Sequence, residues 1–217
     1  MNPNGQLLSI NVGRPRIVMR DGEPVSTAIF KTPVTGRVKL QTLNLEGDRQ
    51  ADLSVHGGPT KAVYVYPVEH YDYWRGELPG MELPWGMFGE NFTTRGLNES
   101  EINIGDTFQV GTAIVMVTEP RMPCYKLGIR FGRADILKRF LASERTGFYL
   151  SVKKEGEVGT GDRIELIEQA EDSVRVSDIT RLYGRDKNNR ELLVRATQVA
   201  ALPESWREYF QRRLDGF

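Results

Sequence analysis

The hydrophobic pattern over the first three quarters of the chain is that of short strands. Residues 7–13 (LLSINVG), 26–31 (STAIFK), 36–45 (GRVKLQTLNL) and 61–66 (KAVYVY) are rich in β-branched and aromatic residues, and Gly, Pro, Asp and Asn separate them. DTFQV and TAIVMVTE meet at Gly111 and predict a hairpin; GFYLSVKKEG and DRIELIEQ follow as further strands. Strands this short and closely spaced predict a mainly β protein built as a barrel or sandwich, and no regular βαβ alternation is visible.

Helical patterns interrupt the strands twice. PVEHYDYWRGEL is expected to begin with Pro67 at the first helical position, where the missing amide proton costs nothing. RADILKRFLAS places Ile136, Leu137, Phe140 and Leu141 on one helical stripe. Between them, LPGMELPWGMFGENFTTRG is Gly- and Pro-rich and long enough to predict a functional loop. Near residue 173 the pattern changes. VSDITRLYG, with Ser177 as expected N-cap and Gly184 as stop, is followed by NRELLVRATQV and PESWREYFQRRL, which together predict three short helices. The expected organisation is a β domain over residues 1–172 and a three-helix domain over 173–217.

Charge narrows the function classes. The formal net charge is zero, which argues against a general polyanion binder. The last 45 residues hold 9 basic and 6 acidic side chains, a modest excess that reads as a solvated face. A helix-turn-helix-like pair there lacks the charge expected of a DNA reader. One cysteine excludes a disulfide framework, no apolar run has the length of a membrane span, and the N-terminus lacks a signal-peptide pattern. A cytoplasmic protein with no membrane partner is expected.

GDRQADLSVHGGPTKAVYVY (47–66) is the richest stretch chemically. Arg49, His56 and Lys61 offer donors suited to an anion or an electron-rich heterocycle, and Gly57 and Gly58 permit close backbone approach. The spacing is not that of a phosphate-binding P-loop, and no G-x-S-x-G elbow accompanies the His-Gly-Gly. A Gly-rich hairpin with solvated charges accounts for the same residues equally well. In MFGENFTTRGL, Glu90 and Asn91 suit either the edge of a bound heterocycle or an ordinary Asx-type turn. His70 reads as part of an amphipathic helix face. Two histidines and one cysteine do not make an ordinary zinc site.

The single cysteine, Cys124, lies in TEPRMPCYKL, directly after an apolar strand. Three readings stand on the residues alone. It is a small buried hydrophobe; or a nucleophile, activated by Arg121 and Lys126 with His56 as base; or a soft thiolate ligand to a metal cofactor.

GDRQADLSVHGGPTKAVYVYP, GMFGENFTTRGL, IGDTFQVGTAIVMVTEPRMPCYKL and VSDITRLYGRD together resemble the MOSC domain family (molybdenum cofactor sulfurase C-terminal-like), above all its stand-alone bacterial YiiM members with a C-terminal 3-alpha domain. The resemblance spans essentially the whole chain, in consistent order. It implies a MOSC-type β-barrel with a few peripheral helices and a small C-terminal three-helix domain. It further implies a molybdenum cofactor with Cys124 as the protein ligand to the metal, and Lys31, Arg49, His56, Lys61, Glu90, Asn91 and Arg121 as cofactor-binding positions. The implied activity is reduction of N-hydroxylated compounds, such as hydroxylamino purines and amidoximes, to amines, with Cys124 and His56 as catalytic residues. The chain has no G-x-G-x-x-G fingerprint and no iron–sulfur cysteine set, so a separate electron-donating reductase, a flavoprotein, is expected as partner. A homodimer is a further open expectation. Two alternatives remain: a metal-free cysteine enzyme, and a non-catalytic module that binds molybdopterin or carries sulfur.

Overall fold

The computed structural model describes residues 4–52, 57–171 and 174–216. Seven strands close into a barrel. In spatial order they are β12 (Arg163–Glu168), β8 (Thr107–Val110), β9 (Ala113–Pro120), β10 (Phe148–Lys154), β6 (Val63–Pro67), β7 (Phe92–Arg95) and β1 (Gly5–Val12). Pairing of Gly5 with Ile164 and of Gln6 with Arg163 closes the ring. Closure removes the exposed sheet edges that an open sheet would present.

All neighbours in the ring are antiparallel except β6 and β7, which run parallel with Val65 opposite Phe92. A parallel pair needs a crossover. Here it is helix α1 (Glu69–Glu77) and the Gly/Pro-rich segment after it. A short strand, β4 (Thr32–Val34), adds to β1 outside the ring. β2 (Arg16–Arg20) and β3 (Glu23–Thr27) form a separate hairpin, and β5 (Arg37–Leu40) pairs with β11 (Gly156–Gly159).

Period-two burial fills the barrel. On β9, Ala113, Val115 and Val117 are fully buried while Ile114 and Met116 are partly exposed. The alternation stops at Thr118. Thr118, Glu119, Pro120 and Arg121 are all buried, so the outer face of this strand end is covered as well. β6 is also buried on both faces. Val63 and Val65 join the barrel core, and Tyr64 and Tyr66 point into a second, aromatic core with Trp74, Phe88, Phe131 and Phe140. The Trp74 indole donates to the Tyr66 hydroxyl at 2.7 Å, which satisfies two buried polar groups at once.

That second core is roofed by α1, α2 (Tyr125–Phe131) and α3 (Ile136–Ser143). The other helices, α4 (Val176–Tyr183), α5 (Arg190–Gln198) and α6 (Glu204–Leu214), pack their apolar faces onto the first core, where Ile179, Leu193 and Phe210 join Ile102 and Ile104. The fold is thus mainly β, a closed barrel with peripheral helices and three C-terminal ones. No helix among the described residues is long and apolar enough to cross a membrane.

Local expectations fail in a few places. Pro67 is the last residue of β6, not the first of a helix, and Val68 precedes α1 as its cap. Ser177 lies inside α4, whose cap is Arg175; the Asp178 carboxylate accepts from the Arg175 amide at 3.0 Å and takes over the capping. Of the strand expected over 26–31 only residues 26 and 27 are strand, as the end of β3, and 28–31 form the connection to β4; only Arg37–Leu40 of the 36–45 run is strand. Gly184 does end α4.

Candidate functional site

Cys124 follows the extended segment that leaves β9 and caps α2, with φ −119° and ψ 164°. Its side chain is half-buried. It lines a cleft on the outside of the barrel that holds about 640 Å³ of free space counted out to the mouth. Lys31, Arg49, Lys61, Asn91 and Arg121 line the same cleft, so residues from five separate loops and strand ends converge on one thiol. Gly57 lines it too, while His56 lies outside the described residues.

Glu90 does not reach the cleft. It is fully buried beneath it and accepts hydrogen bonds from the Tyr71 hydroxyl, the Gly86 and Phe88 amides and the Thr93 hydroxyl. Burial raises its pKa, and these donors oppose the rise. Its bonds fold the 84–91 loop onto α1 and β7, and the glycines of that loop then pack on the 28–31 segment. Gly89 has φ +82°, and a Cβ there would come within 2.8 Å of Ile29, so only glycine permits this approach.

The converging groups differ in how far they are already committed. Lys31 Nζ lies 2.5 Å from Asp48 Oδ1 in a buried ion pair, and burial lowers its pKa against the pull of Asp48. Asp48 also accepts from the Gly13 amide at 2.7 Å and from Asn91 Nδ2 at 2.9 Å. Asn91 donates in addition to the Asn11 carbonyl and accepts from the Tyr64 amide, so its amide clamps three segments together. Lys61 pairs with Glu119 at 3.6 Å. Arg49 is exposed and donates to the Asp48 carbonyl at 2.9 Å.

Arg121 is different. It is only 5% exposed, and its guanidinium sits over the rings of Tyr64 and Phe140 at 5.2 and 5.1 Å. Its Nη1 has no hydrogen-bond partner among the described residues. Burial works against its charge, but Tyr64, Tyr149 and Cys124 outweigh that and raise its pKa above the ordinary arginine value. The guanidinium stays charged with a donor left over, and such a donor calls for an acceptor that the described residues do not supply.

Three further residues contribute: Lys126, expected only as an activator of the thiol, and Tyr149 and Glu119, which were not anticipated. Lys126 is buried to 7% exposure in the first turn of α2 and faces the cleft. Tyr149 stands on β10 beside Cys124, and burial pushes its phenol up to about 12, so it keeps its proton. Glu119 sits just outside the cleft, and its pKa is raised by burial against the pull of Lys61. The alternation of β10 puts Tyr149 on the outer face, which is the one signal the sequence carried for it.

No cluster of three or more His, Cys, Asp or Glu side chains among the described residues is arranged to hold a metal ion. A metal held here would take one protein thiolate, with its remaining donors brought by a cofactor. An anionic, sulfur-bearing group suits this donor set. Cys124 would offer the soft ligand, and the spare Arg121 donor and Lys126 would meet the group's negative charge.

A barrel that gathers cationic donors around one strand-exit thiol defines the class, and comparison with known proteins gives it a name: the chain belongs to the MOSC domain family, whose model matches residues 52–165. A second model, the YiiM-like 3-alpha helix domain, matches residues 176–217. Protein YiiM of Escherichia coli (strain K12) is 38% identical over 199 residues, covering 90% of this chain and 88% of that one. A protein of Gibberella moniliformis named "Reductase" is 33% identical over 198 residues, covering 90% of this chain but 35% of its own length. The crystal structure of YiiM from Geobacillus stearothermophilus superposes with a TM-score of 0.81 at 33% identity, over 97% of this chain and 99% of that one.

Proposed function

We propose that this MOSC-domain protein is an oxidoreductase that converts N-hydroxylated compounds to amines with a molybdenum cofactor held in the Cys124 cleft. The observation that carries the reading is the buried Arg121 guanidinium with a donor left unpaired beside the only thiol of the chain. Cys124 serves as the single protein ligand to the metal, and Arg121, Lys126 and Arg49 hold the anionic part of the cofactor. Lys31 and Asn91, already bonded to Asp48, fix the walls of the cleft and leave direct contact to their neighbours. Glu90 acts on the cofactor only through the loop it holds. When bound, the cofactor supplies a two-electron metal centre in a sulfur-rich shell.

The balance is simple. R–NHOH takes up two electrons and two protons, its N–O bond breaks, and R–NH2 and water leave. His56, by the ordinary pKa of its imidazole, is the side chain suited to deliver a proton. Electrons come from a separate reductase, since the chain carries neither a nicotinamide fingerprint nor an iron–sulfur cysteine set. The likeness to a fungal protein named "Reductase" supports the reaction class.

The test uses protein purified from a host that makes molybdenum cofactor, with reduced methyl viologen as electron source. Wild type is expected to convert benzamidoxime to benzamidine and Cys124→Ala is not. Equal turnover by the two proteins would overturn the proposal.

A further inference from the structure

Cys124 opens onto two clefts, and only the first gathers unpaired cationic donors. The second lies between the strand end of β9, the proline-flanked loop that carries Cys124, and helix α6. The two share Lys61, Cys124 and Tyr149, so they meet at the thiol. Their chemistry differs. Lys61, the cation common to both, is neutralised by Glu119 on the second side. The wall that α6 contributes is aromatic, with Trp206 and Tyr209 both half-buried.

These two rings are held in place. Trp206 donates its indole N–H to Glu119 Oε2 at 2.9 Å, and Arg213 donates to the Tyr209 hydroxyl at 3.0 Å. Trp206 and Tyr209 meet edge to face at 6.1 Å, and Tyr183 and Phe210 pack around them. Fixed aromatic surface with its polar edges already bonded, beside the Cys124 thiol, is suited to the face of a planar, uncharged ring.

We propose that this second cleft is the substrate subsite, in which Trp206 and Tyr209 of α6 receive the planar ring of an aromatic or heteroaromatic N-hydroxylated compound and direct its N–O group toward Cys124. The inference rests on the reductase reading for the identity of the reacting group; the position of the subsite rests on the shared walls of the two clefts. On this account the C-terminal helices set specificity, since two of the residues around the reacting centre come from them. Glu119 is a positioning residue, acting through the Trp206 indole.

The experiment compares a ring-bearing probe, benzamidoxime, with a ring-free one, acetamidoxime, on cofactor-loaded protein. The ratio of their kcat/KM values is expected to fall by about tenfold in Trp206→Ala, mostly through KM for benzamidoxime, and to recover in part in Trp206→Phe, which keeps a ring but loses the indole bond to Glu119. Tyr209→Leu, which keeps bulk in the helix, should move the ratio in the same direction. A ratio that stays at the wild-type value in both Trp206→Ala and Tyr209→Leu overturns the subsite. If loaded wild type reduces neither probe, the reductase reading falls, and a binding measurement decides the subsite by itself. Benzamidoxime should then change the tryptophan fluorescence of cofactor-free wild type and leave that of Trp206→Phe unaltered; no Trp206-dependent change overturns the proposal.

Discussion

Trp206 Nε1 donates to Glu119 Oε2 across 2.9 Å, and this bond joins α6 to the barrel strand that runs into the Cys124 loop. Glu119 is nearly buried and takes its other contacts from the Thr60 hydroxyl and Lys61. Removing the indole donor leaves a buried carboxylate short of one partner. Trp206→Phe is expected to lower stability by about 1–3 kcal/mol, read from urea unfolding. A loss well below that range would show that the bond is replaced by solvent.

The pKa of Glu119 gives the pH sign of the same contact. Burial raises it above its ordinary 4.5, so the folded state binds a proton more tightly than the unfolded chain. The stability tied to that proton is present below 4.5 and is lost as pH rises through the folded pKa. Glu119→Gln should therefore flatten the fall in stability that wild type shows on the alkaline side of 4.5. Parallel stability–pH curves for the two proteins would contradict this.

The opposite sign applies to Glu99, which pairs with His70 at 2.7 Å and accepts from the Gly147 amide. Burial pushes Glu99 up, but His70 and the hydrogen bonds outweigh it and hold the carboxyl below its ordinary 4.5. This stability is fully present above 4.5 and is lost as pH falls through the folded pKa. Glu99→Gln should cost about 1–3 kcal/mol near neutral pH, because it weakens the buried hydrogen bonds to His70 and the Gly147 amide. The gap between variant and wild type should narrow in acid, and unfolding curves at several pH values decide it.

Arg121 is expected to show a trade between stability and cofactor. A buried guanidinium with an unpaired donor is costly in the empty protein. Arg121→Met, which keeps the packing on Tyr64 and Phe140, should match or exceed wild-type stability in cofactor-free protein, to within about 1 kcal/mol. The same variant should retain far less molybdenum after purification. Wild-type metal content in Arg121→Met would remove Arg121 from the cofactor site.

Gly89 and Gly80 share φ +82°, but a Cβ at Gly80 meets nothing within 4 Å while one at Gly89 meets Ile29 at 2.8 Å. Gly80→Ala should cost about 1 kcal/mol through backbone strain alone. Gly89→Ala should cost more, because Ile29 must move and Ile29 lines the cleft. Equal losses would mean that Ile29 yields freely.

The barrel was legible where burial is one-sided or the run is strongly β-branched. Alternation in TAIVMVTE and the breaker at Gly111 predicted β9 and its hairpin with β8. β2 escaped because RIVMR is solvent-facing on both sides, with Ile17 and Met19 exposed. Its one local signal was the Asp21–Gly22 pair, both residues at positive φ, as a tight hairpin turn requires. Helix α2 escaped because it has seven residues with Gly128 at its centre, which blurs any helical period. Within the site, Arg49, Lys61, Asn91 and Arg121 stood out in their own stretches and Lys31 came from the family resemblance, and all five line the cleft that Cys124 lines. That Lys31 and Asn91 are tied to Asp48 was not readable, since it depends on a contact between loops far apart in the chain. Nor was the approach of Trp206 to Cys124, because an amphipathic helix shows which face is buried but not what it is buried against.

The most direct test of the central claim is the molybdenum content of protein purified from a cofactor-producing host, measured by elemental analysis for wild type and Cys124→Ser. The account predicts about one molybdenum per chain in wild type, from a single thiolate ligand, and near none in the variant. Equal metal in both proteins, or none in wild type prepared with cofactor in excess, would contradict it.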